Sequence, residues 1–215
     1  MSVRYELLKA LVRASGLKKR LNMSTEELMT KACEMIHATY REMLRFYAPE
    51  NISILGTSSG GNLALGMVPY INERAPETPM PCFIMTISPG TCMDTDEEWQ
   101  RMLELDKKDV AIPAQYMKNA VELMRHGDES VPDYMIWLQK GNFTNCPPVT
   151  FIYGSDETLY ACAPSFEAAM RNYSVDYELI VGEGMFHCCP VFPICKEAKD
   201  GWEMMVQKVK ENTAV

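Results

Sequence analysis

Residues 52 to 65 read ISILGTSSGGNLAL, and no other stretch of the chain constrains its fold as much. An apolar run, Ile52–Leu55, stops at a glycine, a turn of small residues follows, and a helix-forming run begins. Two chemistries use such a turn. As a phosphate loop of the form G-x-x-x-x-G-K-[ST], Gly56 to Gly61 fails at both active positions: Asn62 stands where the lysine belongs and Leu63 where the magnesium-binding hydroxyl belongs. As G-x-S-x-G, the segment Gly56-Thr57-Ser58-Ser59-Gly60 matches in full. That pattern is a nucleophile elbow, a sharp strand-to-helix turn that lifts a serine hydroxyl above the sheet. The helix that follows aims its N-terminal N–H groups at the place where anionic charge develops. Side chains at the flanking glycines are expected to meet the strand or the helix.

The rest of the chain supports a strand on one side of that turn and a helix on the other. Short unbroken apolar runs occur at Ile52–Leu55, Phe83–Ile87, Val149–Tyr153 and Tyr177–Val181, with helical segments Asn62–Arg74 and Tyr160–Tyr173 between the first pair and the last pair. Such runs predict a parallel sheet covered on both faces. Residues 96–141 carry helical segments, Glu97–Leu105 and Ala114–His126, without a clear strand, and read as an inserted helical cap. Before the sheet, residues 1–48 read as N-terminal helices. Val3, Leu7, Leu8, Leu11 and Val12 repeat at helical spacing among basic residues, as in a packed surface helix or, alternatively, a membrane-surface helix. A capping box, Ser24 with Glu27, opens a second helix, whose apolar stripe is read as Leu28, Ala32, Met35, Thr39, Met43 and Phe46. Residues 1–215 are expected to form a single domain.

Composition narrows the partners. A net charge of −8 leaves no domain-wide basic face for nucleic acid. No apolar stretch approaches the ~20 residues of a membrane span, and Lys9 and Arg13 interrupt what would be the core of a signal peptide. The eight cysteines form neither a C-x-x-C pair nor a metal-ligand spacing. Scattered reduced thiols fit the cytoplasm.

A serine nucleophile needs a base and a group that holds the base. On an elbow scaffold the chain order is serine, acid, histidine. Asp156 follows the third strand in Gly154-Ser155-Asp156-Glu157, and His187 follows the fourth in a Gly-flanked loop. Of the three histidines, His37 precedes the elbow and His126 ends a helix of the predicted cap, so only His187 is in order. Glu157 is the alternative acid. The same residues have plainer readings: a turn serine, a helix-capping aspartate and a loop histidine bonded to backbone. Cys188 and Cys189, next to the expected base, read as packing residues.

These motifs resemble those of the hormone-sensitive-lipase-like bacterial esterases. That family's elbow usually reads Gly-Asp-Ser-Ala-Gly-Gly-Asn-Leu-Ala, against Gly-Thr-Ser-Ser-Gly-Gly-Asn-Leu-Ala here. Gly154–Glu157 resembles its acid turn, and Gly184-Met185-Phe186-His187 its histidine loop. The resemblance implies an α/β-hydrolase-like parallel sheet with helices on both faces and a helical cap. It implies a serine carboxylester hydrolase using Ser58, Asp156 and His187, with the Ser59 N–H facing the oxyanion, no cofactor and no metal, acting on a small-molecule ester. A peptidase acting through the same triad is a weaker option.

The family's His-Gly-Gly-Gly oxyanion motif is absent from the chain, and so are the strands that usually precede the elbow. The sequence reads as if a block had been removed near Ala32–Cys33. Loss of one oxyanion donor costs about 2.7–4 kcal/mol, or roughly 10²–10³ in rate, so weak hydrolysis is the expectation. A non-catalytic hydrolase-like interaction module is the alternative. The elbow strand is expected to be an apolar sheet edge, covered by the N-terminal helices or by a second copy of the chain.

Overall fold

The computed structural model describes residues 25–125 and 131–213. The basic amphipathic segment near the N-terminus and the Ser24 cap lie outside the described residues. Four strands, β1 (Ser53–Thr57), β2 (Phe83–Ile87), β3 (Val149–Gly154) and β4 (Tyr177–Gly182), pair in parallel in the order β1-β2-β3-β4. The described helices are α1 (Thr25–Met43), α2 (Ser59–Arg74), α3 (Asp96–Leu105), α4 (Ala114–Arg125), α5 (Asp133–Ile136), α6 (Ala163–Asn172) and α7 (Lys196–Asn212). The four predicted strands are all present, and α1 runs unbroken through Ala32–Cys33.

The two-residue alternation of a strand explains why β2 and β3 are apolar throughout. Ile84, Val149, Phe151 and Tyr153 point into a core shared with Leu65 and Val68 of α2 and Phe166 and Met170 of α6. Phe83, Met85, Ile87 and Ile152 point the opposite way and pack against Met205 of α7. Every residue of β2 and of β3 is buried. Between β2 and β3, α3 opens with a capping box in which Thr95 Oγ1 accepts from the Glu98 N–H and Glu98 accepts from the Thr95 N–H.

β1 is an edge. Ile52 C=O accepts from Cys82 N–H and Ser58 N–H donates to Ile87 C=O, so the even-numbered residues of this stretch turn their backbone groups toward β2. The N–H and C=O groups of Ser53, Leu55 and Thr57 consequently point to the open side, where no strand lies among the described residues. The Leu55 side chain is 44% exposed. Helix α1 packs on α2.

Helix α1 departs from the sequence expectation. Met35, Met43 and Phe46 of the predicted stripe are exposed. The packed arc is the neighbouring one, with Ile36, Tyr40 and Leu44 against Ile52, Met67 and Ile71. Two polar bonds fix that choice: His37 Nε2 to Thr78 Oγ1 at 2.9 Å and Tyr40 Oη to the Pro79 C=O at 3.0 Å. Both arcs have helical spacing, and only the partners beyond residue 52 discriminate between them. Among the described residues, no helix is long and apolar enough to cross a membrane. Truncating Tyr40 to alanine is expected to cost about 3–5 kcal/mol of stability and truncating Phe46 less than about 0.5 kcal/mol, as measured by urea unfolding.

Candidate active site

Ser58 sits between the end of β1 and the start of α2 with φ 51° and ψ −125°, a conformation L residues rarely adopt. Holding a non-glycine residue there costs about 1–3 kcal/mol and needs surroundings that enforce it. Its N–H is tied to Ile87 C=O at 2.8 Å, while its own C=O accepts from Gly61 and Asn62 in the first helical turn. A Cβ on Gly56 would collide with the Gly60 backbone, so the turn closes only with glycine at that position. Gly60 differs from the expectation: a Cβ there meets nothing within 4 Å. Asn62 Oδ1 accepts from Gly90 N–H at 2.9 Å and locks the helix start to the loop after β2.

His187 faces this hydroxyl, with Nε2 3.0 Å from Ser58 Oγ. Its Nδ1 lies 2.7 Å from Glu157 Oε2. A carboxylate can only accept, so Nδ1 carries a proton, and when the ring is neutral Nε2 can accept from the serine.

The carboxylate facing the imidazole is that of Glu157, the alternative acid, and not that of Asp156, the acid expected from the sequence. Asp156 points outward to Lys108 Nζ at 3.2 Å, a partly exposed ion pair. The reason lies in the turn after β3. Ser155 N–H donates to Gly182 C=O and Asp156 N–H to Met185 C=O, which pins the backbone to the histidine loop and sends the Asp156 side chain to the surface. Only glycine at 154 permits that approach, because a Cβ there would collide with the Met185 carbonyl. The next residue turns inward. Glu157 is fully buried, and its Oε1 accepts from Ser88 Oγ at 2.9 Å and Gly154 N–H at 2.8 Å. With His187, three donors satisfy the buried charge.

Two further residues escaped the sequence reading. Ser88, itself at φ 51°, donates to Glu157 and accepts from Cys188 N–H at 2.9 Å, joining the end of β2 to the histidine loop. Asp109 accepts from the N–H groups of Ala111, Ile112 and Thr158, and so holds the backbone just beyond Glu157. Burial works against its charge, but those hydrogen bonds prevail and lower its pKa. Cys188 and Cys189 are buried, as expected of packing residues.

Burial also disfavours the charged form of His187. The hydrogen bonds and charges of Cys188 and Glu157 more than offset it and raise its pKa above the ordinary histidine value. Ser59 opens α2, and the first N–H groups of a helix have no partner within the helix.

A cavity of about 260 Å³ adjoins Ser59, walled by Asn62 and Leu138 and by Met117, Met124 and Tyr134 from the segment between β2 and β3. Met117 and Met124 of that segment line the cavity, whereas its large side chains Trp99, Met102, Leu105, Tyr116 and Trp137 do not. Met102 is in the main core, Trp99 and Leu105 pack against it, Tyr116 is exposed, and Trp137 packs in a separate cluster with Cys92 and Val131.

A parallel sheet, a strained serine at a strand-to-helix turn and a histidine reaching it from beyond the last strand define the α/β-hydrolase class. Residues 22–191 match the model of the alpha/beta hydrolase fold family, and the chain belongs to that family. It is similar in structure to an esterase of the bacterial hormone-sensitive lipase family, with 22% identity, a TM-score of 0.75, and 85% of this chain on 60% of that one. An esterase/lipase from an uncultured bacterium gives 21%, 0.70, 86% and 60% for the same measures. EstE5, crystallised with a p-nitrophenyl butyrate soak, gives 24%, 0.66, 80% and 57%. The chain thus spans about three fifths of these solved relatives. No curated protein matches it significantly.

Because the His187 pKa is raised, its imidazolium persists above the pH at which an ordinary histidine titrates, and the ring becomes neutral only as pH rises further. Titration followed by imidazole NMR is expected to show that upward displacement. Glu157→Gln should lower the midpoint, and Asp156→Asn should leave it in place.

Proposed function

We propose that the protein is a serine carboxylester hydrolase in which Ser58 is the nucleophile, His187 the general base and Glu157 the group that orients it. The observation that carries this reading is the unbroken chain of hydrogen bonds from Ser58 Oγ through the imidazole to the buried carboxylate. Ser58 Oγ attacks the ester carbonyl as His187 Nε2 takes its proton. The tetrahedral intermediate collapses to an acyl-serine, and the imidazolium returns the proton to the departing alcohol. Water then repeats the sequence and releases the acid. Glu157 fixes the tautomer and stabilises the transient imidazolium. No metal or organic cofactor is required.

The Ser59 N–H is the oxyanion donor of this reading. Without the glycine-rich segment that usually supplies further donors, turnover is expected to be weak. Residues 96–141 serve as a cap whose inner side forms the acyl cavity, within a single domain preceded by helices in residues 1–48. Free cysteines throughout the described part of the chain favour the cytoplasm as its location.

Incubation with a fluorophosphonate and with p-nitrophenyl acetate tests the chemistry. Wild type should be labelled and should turn over the ester, and Ser58→Ala should do neither. Folded wild type that resists labelling would instead favour a non-catalytic interaction module. Glu157→Gln should lose roughly 10³–10⁴ in kcat, while Asp156→Asn stays within about threefold of wild type. Activity needs the neutral imidazole, so the acid limb of the pH–rate profile should lie above the ordinary histidine range.

The open side of β1 supports self-association through that edge, where a second copy can pair with the outward backbone groups of Ser53, Leu55 and Thr57. Sedimentation should show a concentration-dependent dimer that Leu55→Lys dissociates. A strictly monomeric wild type at micromolar concentration would rule this out.

A further inference from the structure

Gly66 lies inside α2, where glycine weakens a helix relative to alanine, and nothing in the packing asks for it. Among the described glycines only Gly184 has a positive φ, so the backbone at 66 is open to other residues. A Cβ added there meets one atom within 4 Å outside its own helix, Leu138 Cδ1 at 3.6 Å, which is an ordinary contact. Gly66 and Leu138 both line the cavity beside Ser59, so a side chain at 66 would enter that cavity. The wall that α2 contributes also has a definite length. Ser59, Asn62, Leu63 and Gly66 line it at i, i+3, i+4 and i+7, which is one face of the helix. Pro69 and Tyr70 come next on that face, and neither lines the cavity. Pro69 abuts Gly141, where an added Cβ would lie 2.9 Å from it, and the Tyr70 ring packs against His37 at 5.5 Å between centroids. The wall thus starts beside the serine and stops at Gly66. Asn62 Oδ1 already accepts from Gly90 N–H, and Thr91 Oγ1 already bonds Gln139 and Leu138 N–H. Much of the remaining wall is methionine, leucine and isoleucine.

We propose that Gly66 determines acyl-chain length: a straight chain of about eight carbons lies along this face of α2 with its terminal methyl against Gly66. The inference rests on the cavity being the acyl site of the proposed hydrolysis. The length follows from helix geometry. Seven residues of helix rise about 10 Å, and an extended chain advances roughly 3.5 Å for every three bonds, so about eight carbons and the radius of the last methyl span it. Each methylene that leaves water for an apolar wall raises affinity about fourfold. Carbons beyond the end of the wall stay in water or must displace packed side chains, and add nothing. A leucine at 66 would project toward Leu138, at the far end of the α2 wall, and leave the Ser59 end untouched.

The test is binding to full-length Ser58→Ala protein by calorimetry, which needs no turnover. The probes are methyl esters of straight-chain acids from about four to twelve carbons. Affinity is expected to rise about fourfold per carbon up to about eight, and to change by less than about twofold from there to twelve. Adding Gly66→Leu should move the plateau to about five carbons. The eight-carbon ester should then bind about tenfold or more weakly, and the four-carbon ester within about twofold of its former affinity. No binding of any ester, affinity that climbs through twelve carbons, or an unchanged profile with Gly66→Leu would each overturn the inference. Should Gly66→Leu fail to fold, Gly66→Ala decides, because its Cβ makes only an ordinary contact. It is expected to shorten the plateau by about one carbon and to weaken the eight-carbon ester about threefold. Fluorophosphonate labelling of the wild type reports separately on Ser58. A plateau without labelling would refute the hydrolase reading and leave the chain site standing, and labelling without a plateau would refute this inference alone.

Discussion

The buried carboxylate of Glu157 is the charge around which the site is assembled. A carboxylate without contact with water is tolerated only when its oxygens are occupied by donors. Here those donors come from three different strand ends: Ser88 after β2, Gly154 at the end of β3 and His187 after β4. The requirement to satisfy one charge therefore fixes the relative positions of three loops. Ser88 extends the effect by also accepting from Cys188 N–H, so the histidine loop is held from both sides. Removing the carboxylate would leave three donors facing each other with nothing between them, a larger disturbance than the loss of a single hydrogen bond.

That same requirement explains which parts of the site could be read from sequence. The elbow is local: Gly56, Ser58 and the flanking strand and helix are contiguous, and their spacing alone announces them. The histidine is nearly local, because chain order leaves only His187. The acid is not. Asp156 and Glu157 are neighbours at a strand end, and which of them turns inward depends on the Met185 carbonyl packing on Gly154 and on Asp109 holding Thr158, contacts made across 31 and 49 residues of chain. A weak local signal existed. Glu157 leads into the buried Thr158-Leu159 pair, whereas Asp156 lies in a Gly-Ser-Asp turn with polar surroundings.

The same distinction holds for the scaffold. β2 and β3 are legible because burial on both faces demands an unbroken apolar run. Helix α1 was legible as a helix but not in orientation, since it carries two apolar arcs and the packed one is chosen by Ile52, Thr78 and Pro79 beyond its end. Periodicity identifies a helix from its own residues, whereas the face it buries is a property of its neighbours.

The positions of the serine, the imidazole and the carboxylate are set from one side of β1. The backbone of Ser58 is set by Ile87 of β2 and by the first turn of α2, and the imidazole by Glu157 and the loops after β2 and β4. None of these contacts involves the open side of β1. The geometry of serine, histidine and carboxylate can therefore persist in a chain about three fifths the length of its solved relatives. Charge developing on a bound carbonyl oxygen is a different matter, because hydrogen bonds to it must come from donors preorganised around that oxygen. On this chain the helix start at Ser59 is on hand, and no strand flanks β1 on its open side among the described residues. The hydrogen-bonded arrangement of Ser58, His187 and Glu157 is therefore complete without any contact on the open side of β1.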